Sequence, residues 1–207
     1  MKKELAECLS IQFKNLFPDN RHLKGKNKIN FYQSKQYILN YLEKELYNLN
    51  TNGFYQVIYA EKEFSTSKKL LLSDTILECC FKGKIDRIDS TSKGLRLIDY
   101  KTGYVSKSDL SISSIENIKN KQKALQLLFY AMLFLSTHEQ NEDVYANIIA
   151  LSNTNSPVLG LKLQNEHKFT HTHMELFEKE VQHILEEIIN PVIPLFHNET
   201  SRFCSFC

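Results

Sequence analysis

Between Phe54 and Ser65 polar and apolar residues alternate. Gln56, Ile58 and Ala60 fall on one side of an extended backbone, and Val57, Tyr59, Glu61 and Glu63 on the other, the period of a β-strand. Two similar runs follow, TILECCFKGKIDRID from Thr75 and LRLIDYKTG from Leu95, and the intervening STSKG predicts a five-residue hairpin loop containing glycine. Elsewhere the period lengthens. In SKQYILNYLEKELY apolar residues recur at Tyr37, Ile38, Tyr41, Leu42 and Leu46, which is helical spacing, and NLNTNG ends the run with turn residues. QKALQLLFYAMLFLSTH is apolar on nearly every side, so a helix there should be largely buried. VYANIIALSN predicts a fourth strand, and THMELFEKEVQHILEEII an amphipathic helix stopped by Pro191. Residues 1–30 are polar and basic, and FPDNRHLKGKNK within them reads as loop. The order α-β-β-β-α-β-α predicts an α/β fold whose sheet carries an antiparallel hairpin.

At 207 residues the chain suits one domain, with 42% hydrophobic and 24% charged residues as in ordinary globular proteins. A formal net charge of +2 does not by itself argue for nucleic acid. Its distribution says more: Lys82, Lys84, Arg87, Lys93, Arg96, Lys101 and Lys107 crowd one stretch, and Lys119, Lys121 and Lys123 follow. A solvated face explains such a run as readily as a phosphate-binding one. No leader-like segment opens the chain, and the apolar run Leu125–Leu135 is too short to span a bilayer, so no membrane and a cytoplasmic location are expected. Five cysteines, an odd number, argue against a disulfide framework. There is no internal repeat and no glycine-rich phosphate loop.

The candidate chemistry lies in GKIDRIDSTSKGLRLIDYKTG, Gly83 to Gly103. Asp99 and Lys101 project to the same side as Leu95 and Leu97, and Asp86 can face them across the hairpin. Carboxylates on such an apolar face cost several kcal/mol unless compensated (roughly 2–7 for an unpaired polar group). An ion pair with Lys or Arg is one compensation. A divalent cation shared between carboxylates is another, and Lys101 would then stand beside the ion, where an ammonium can steady charge growing on a phosphoryl group. Glu61 on the preceding strand is a third candidate ligand. Spacing alone leaves both compensations open.

GKIDRID followed by LIDYKTG resembles the PD-(D/E)XK nuclease superfamily, in particular its RecB/AddB-type exonuclease branch. The resemblance runs from about Glu61 to Tyr130 and includes the helix LQLLFYAMLF. It implies a restriction-endonuclease-like core: an α/β fold with a mixed central sheet of about four or five strands flanked by helices on both sides. It implies hydrolysis of DNA phosphodiester bonds with Mg²⁺ or Mn²⁺. By residue, it implies catalytic roles for Glu61, Asp86, Asp99, Lys101, Gln126 and Tyr130. Glu61, Asp86, Asp99 and the Tyr100 carbonyl would hold the metal. Lys84, Arg87, Arg96 and Lys107 would contact DNA phosphates without reading sequence. A helicase domain or subunit is the partner it implies, in recombination or repair. A nuclease-fold module that binds without cutting and a restriction-type endonuclease are the competing readings.

Two departures from that branch stand in the sequence. Its usual upstream metal-binding histidine has no match, since His22 sits in DNRHLKG, a loop-like stretch. Some relatives pin the fold with an iron–sulfur cluster. RFCSFC, with Cys204 and Cys207, resembles the start of that ending, so the cluster set is expected to be incomplete. Residues 1–50 are expected to form a helical region and 51–207 the nuclease core with its C-terminal helix and cysteine tail. Together they would make one structural domain cut from a longer helicase-like or AddB-like protein.

Overall fold

The computed structural model describes residues 2–17, 24–52, 55–72, 74–138, 143–153, 155, 157–164, 166–192 and 194. Its elements are α1 (Lys2–Leu16), α2 (Gly25–Asn52), β1 (Gln56–Leu72), β2 (Thr75–Thr91), β3 (Gly94–Lys101), β4 (Ser111–Ile112), α3 (Gln122–Thr137), β5 (Val144–Ala150), β6 (Val158–Gly160), β7 (Lys162–Leu163), β8 (Lys168–Phe169) and α4 (His171–Ile189). Two 3₁₀ turns, Lys107–Leu110 and Ile115–Asn120, lie between β3 and α3.

Six strands make the central sheet, in the order β1-β2-β3-β5-β6, with β8 also pairing with β5. The sheet is mixed: β3 and β5 run parallel, and the other pairs are antiparallel. A parallel pair needs a crossover, and α3 supplies it. The helix buries Ala124, Leu127, Leu128, Ala131, Met132, Leu133, Phe134 and Leu135, as its all-round apolar sequence requires. On this side Leu95 and Leu97 of β3 join a core that also contains Phe177 and Val181 of α4. The opposite side of β3 and β5 is covered by α2, whose Tyr41 meets Ile98 and Ile149. Covered on both faces, β3 is largely apolar, interrupted at Arg96, Asp99 and Lys101.

The structure departs from the periodicity in several places. β1 runs on to Leu72, beyond the alternation that ends at Ser65, whereas β2 starts at Thr75 as its run predicts. The β2–β3 turn is tighter than the loop that STSKG predicts: Ser90 pairs with Leu95 and Thr91 with Gly94, leaving Ser92 and Lys93 as the turn. Gly94 has φ +125°, and a Cβ there would lie 2.3 Å from the Asp143 carbonyl oxygen. Only glycine fits. That carbonyl accepts the Leu95 N–H at 2.8 Å, fastening the hairpin to the start of β5. The polar N-terminal stretch also contains α1, and α2 begins at Gly25 rather than Ser34. The two helices pack on each other through Phe13 and Phe31, edge to face at 5.0 Å. His22 and the tail with Cys204 and Cys207 lie outside the described residues.

Candidate active site

Strict alternation would put Ile85 and Ile88 on opposite faces of β2, yet both are fully buried in the same core. Likewise Tyr59 and Phe64 of β1 meet edge to face at 5.9 Å on that core. The pleat of both strands therefore breaks between these pairs, at Glu61 and Asp86. Glu61 has φ +53°, a left-handed conformation uncommon outside glycine, and such backbone outliers cluster at functional sites. Ala60 pairs with Arg87 and Lys62 with Ile85, so Glu61 stands opposite Asp86. The β2–β3 register, Arg87 with Ile98, continues to Asp86 opposite Asp99. Three carboxylate-bearing residues thus occupy one row across three neighbouring strands, each step about 4.8 Å.

Within that row Asp86 and Asp99 converge. Asp86 Oδ2 accepts the Tyr100 backbone N–H at 2.8 Å. Asp99 is 3% exposed. Burial raises its pKa, the Lys101 ammonium opposes the rise, and the nearby Asp86 charge adds to it. Lys101 Nζ lies 2.8 Å from Asp99 Oδ2, but off the angle of a hydrogen bond, so that buried oxygen has an ionic neighbour and no directed donor. The same amine donates to Gln126 Oε1 at 2.8 Å, and Gln126 Nε2 donates to the Tyr130 hydroxyl at 3.0 Å. Gln126 and Tyr130 share one face of α3 because they are four residues apart. Gly83 of β2 lets that face come close, since a Cβ there would lie 2.9 Å from Leu133 Cδ1 and 3.3 Å from Tyr130 Cε1. Burial pushes the Tyr130 hydroxyl pKa up, Gln126 opposes this, and the charges of Asp99 and Asp86 reinforce it. Five of the six candidate catalytic residues (Asp86, Asp99, Lys101, Gln126, Tyr130) therefore form one cluster.

Glu61 shares the row but not the cluster. Its carboxylate pairs with Lys84 at 2.5 Å on the exposed side, and Glu61, followed by Glu63 and Asp86, raises the Lys84 pKa. No group of three or more His, Cys, Asp or Glu side chains among the described residues is arranged to hold a metal. Two carboxylates do suit one. The Asp99 oxygen without a directed donor, desolvated and repelled by Asp86, is the arrangement a dication relieves.

The basic residues divide. Lys84 and Lys107 are exposed. Arg87 and Arg96, expected from the sequence to touch phosphates, are instead turned to the α2 side of the sheet and held there. Arg87 Nε and Nη2 donate to Asp89 Oδ1 and Oδ2 at 2.7 and 2.9 Å, and Arg96 Nη2 donates to Asp89 Oδ2 at 2.6 Å. Glu45 of α2 accepts from Arg87 Nη2 at 3.3 Å, and both guanidinium groups lie over the Tyr55 ring. Burial works against the Arg87 charge, but Asp89 and the Tyr100 hydroxyl outweigh it and raise its pKa. With Asp89 fully buried between them, the pair satisfies its carboxylate. The physical reason is alternation: Arg87 and Arg96 sit on the face opposite Asp99. Lys119 and Lys123 are likewise paired, with Glu187 and Asp109.

Sequence reasoning missed this second cluster, which reaches the first through Tyr100: its hydroxyl accepts from Arg87 Nη1 at 3.1 Å while its N–H holds Asp86. A signal existed. Glu45 lies four residues after Tyr41, on the apolar stripe of the helix.

A family model described as the PD-(D/E)XK nuclease superfamily matches residues 3–207. No curated protein matches the chain. One solved structure, described as "Crystal structure of SSO0001", aligns over 84% of this chain and 81% of its own, at 18% identity and a TM-score of 0.27. A likeness at that TM-score adds nothing to the fold or the site.

Proposed function

The chain belongs to the PD-(D/E)XK nuclease superfamily, and on that premise we propose that it is a Mg²⁺-dependent deoxyribonuclease of the RecB/AddB type. It would degrade DNA from its ends in recombination or repair, with a helicase supplying those ends. The observation that carries the reading is the buried Asp99 oxygen without a directed donor, facing Asp86 and set beside Lys101. Asp86 and Asp99 would hold the metal, joined by the Tyr100 carbonyl and by Glu61, the third member of the cross-strand row. Bound there, the ion would polarise the phosphoryl oxygen and lower the pKa of a water.

The chain's own groups do the rest. Lys101 places an ammonium where charge grows on the phosphoryl oxygens, a donor fixed before the reaction begins. Gln126, itself held by Tyr130, fixes the position of that ammonium. The Tyr100 N–H orients Asp86. Lys84 and Lys107 offer exposed positive charge to flanking phosphates.

One observation favours a rival, a nuclease-fold module that grips DNA without cutting: the Glu61 carboxylate is occupied by Lys84. Incubation with linear and covalently closed circular DNA, with and without Mg²⁺, separates the readings. Metal-dependent loss of linear DNA alone supports the end-dependent nuclease. Cutting of circles points to an endonuclease, and binding without cutting to the rival. Asp99→Ala should abolish all cleavage, and persistent cutting by that variant would refute the site.

A further inference from the structure

A groove of about 400 Å³, lined by Tyr104, Lys107, Ser152, Asn153 and Asn155 among others, opens beyond the carboxyl ends of β3 and β5. Those strands are the parallel pair of the sheet, and ligand crevices in α/β sheets form outside the carboxyl ends of such strands. The groove is joined to the candidate active site through the backbone. The Lys101 carbonyl accepts the Leu151 N–H at 2.8 Å, so the wall at Ser152 starts one residue from that bond. On the other wall, Tyr104 follows Lys101 by three residues, a span of at most about 10 Å.

The walls are built rather than loose. Asn153 Nδ2 donates to the Val105 carbonyl at 2.7 Å, and Asn153 Oδ1 accepts the Val105 N–H at 3.3 Å. Val105 itself is buried in the main core. The neighbouring Tyr104 is nevertheless 74% exposed, the most exposed aromatic side chain among the described residues. A ring held in water by an anchored backbone contributes nothing visible to the core. Lys107 is exposed beside it, at the start of a 3₁₀ turn closed by a Ser106–Asp109 capping box. Within the groove the Ser152 hydroxyl oxygen is buried and has no hydrogen-bond partner among the described residues.

We propose that this groove is a subsite for single-stranded DNA next to the bond being cut, with one base stacked on Tyr104 and a phosphate held by Lys107. The proposal rests on the nuclease reading above. An aromatic face and a cation side by side are the two elements of sequence-tolerant single-strand binding. A duplex would meet Lys107 with its phosphates, but its paired bases offer no free face to Tyr104. Ser152 and Asn155 line the groove on the β5 side.

The test measures binding of a fluorescently labelled oligothymidylate and of a duplex of equal length to the full chain in EDTA, where no cutting occurs. Tyr104→Ala should weaken single-strand binding about tenfold or more, the range expected for one stacked base, and leave duplex binding unchanged. Tyr104→Phe should bind like the wild type, because the ring and not the hydroxyl makes the contact. Unchanged single-strand binding by Tyr104→Ala overturns the subsite, and so does an equal loss on both ligands. A wild type that cuts linear DNA while Tyr104→Ala binds normally would sink the subsite alone. A wild type that binds neither ligand in EDTA would sink the subsite, and one that also fails to cut linear DNA in Mg²⁺ would sink the nuclease reading with it.

Discussion

Burial opposes ionisation of Asp99, Asp86 repels it, and Lys101 compensates only in part, since that amine also serves Gln126 Oε1. Asp99→Asn keeps the shape of the side chain and removes the charge. In EDTA near neutral pH this variant is expected to melt at the wild-type temperature or a few degrees above it, while Mg²⁺-dependent cleavage is lost. Circular dichroism melting curves beside a gel assay check both halves. Since about 1 kcal/mol corresponds to roughly 2–4 °C in a chain of this size, a fall of 5 °C or more would mean that the Lys101 ion pair is net stabilising and that the carboxylate is structural. At this scale the sequence was informative about chemistry and silent about orientation. Asp99 and Lys101 could be read as facing the core because β3 alternates regularly. The fate of Arg87 could not, because composition does not show that Asp89, two residues on, would be buried and take its guanidinium as partner. Nor could the break at Glu61 and Asp86 be read, since period-two reasoning assumes an unbroken pleat.

Among elements, α3 was legible because a helix apolar on all sides has nowhere to go but a core. β2 and β3 were legible because alternation resumes after a glycine turn. The outer half of β1 was not, because TSKKLLL has no apolar alternation and is held chiefly by strand pairing and by α4, where Lys68 meets Glu178 and Gln182 donates to the Leu71 carbonyl at 2.9 Å. How α2 is docked follows from the arginine cluster. Asp89→Ala would leave two guanidinium groups beside Glu45 without their main acceptor, a change that costs about 3–5 kcal/mol when a buried pair is broken. The variant is expected to melt roughly 10 °C lower, and amide exchange in α2 should accelerate more than in α3. Equal acceleration in both helices would mean that the cluster supports the whole fold rather than one docking face. The 3₁₀ turn after β3 carries a pH signature. Burial resists ionisation of Asp109, but the Ser106 backbone N–H and the Lys123 ammonium outweigh it and lower its pKa. A depressed carboxyl stabilises the fold above its unfolded pKa and loses that contribution as pH falls through the folded value. Asp109→Asn should therefore melt below the wild type at neutral pH, and the gap should close in acid below the ordinary aspartate range of about 3.9. A gap that stays constant down to that range would show that the carboxylate charge is not what caps the turn.

Seen whole, the chain places one ionic cluster on each side of β3, and they differ in whether their charges are matched. Behind the sheet, Asp89 and Glu45 face Arg87 and Arg96, and every charge has a partner. In front, Asp86 and Asp99 face one lysine, with an oxygen left undirected. On the proposed reading, a cation would match the front one. Ligand binding to the folded state alone adds RT ln(1 + [L]/Kd), about 2.7 kcal/mol when the ligand stands at 100 times its Kd. The wild type should therefore melt about 5–10 °C higher in saturating Mg²⁺ or Mn²⁺ than in EDTA, and the Asp86→Asn, Asp99→Asn double variant should show no shift. Glu61→Gln separates two versions of the site. A reduced but measurable shift is expected if Glu61 leaves Lys84 to join the row when metal binds, whereas a full shift would confine the ligands to Asp86, Asp99 and backbone. Matched ionic strength with NaCl removes simple screening from the comparison. An equal rise in the wild type and the double variant would place the metal elsewhere, and the front cluster would then have to be explained as an incompletely matched ion pair.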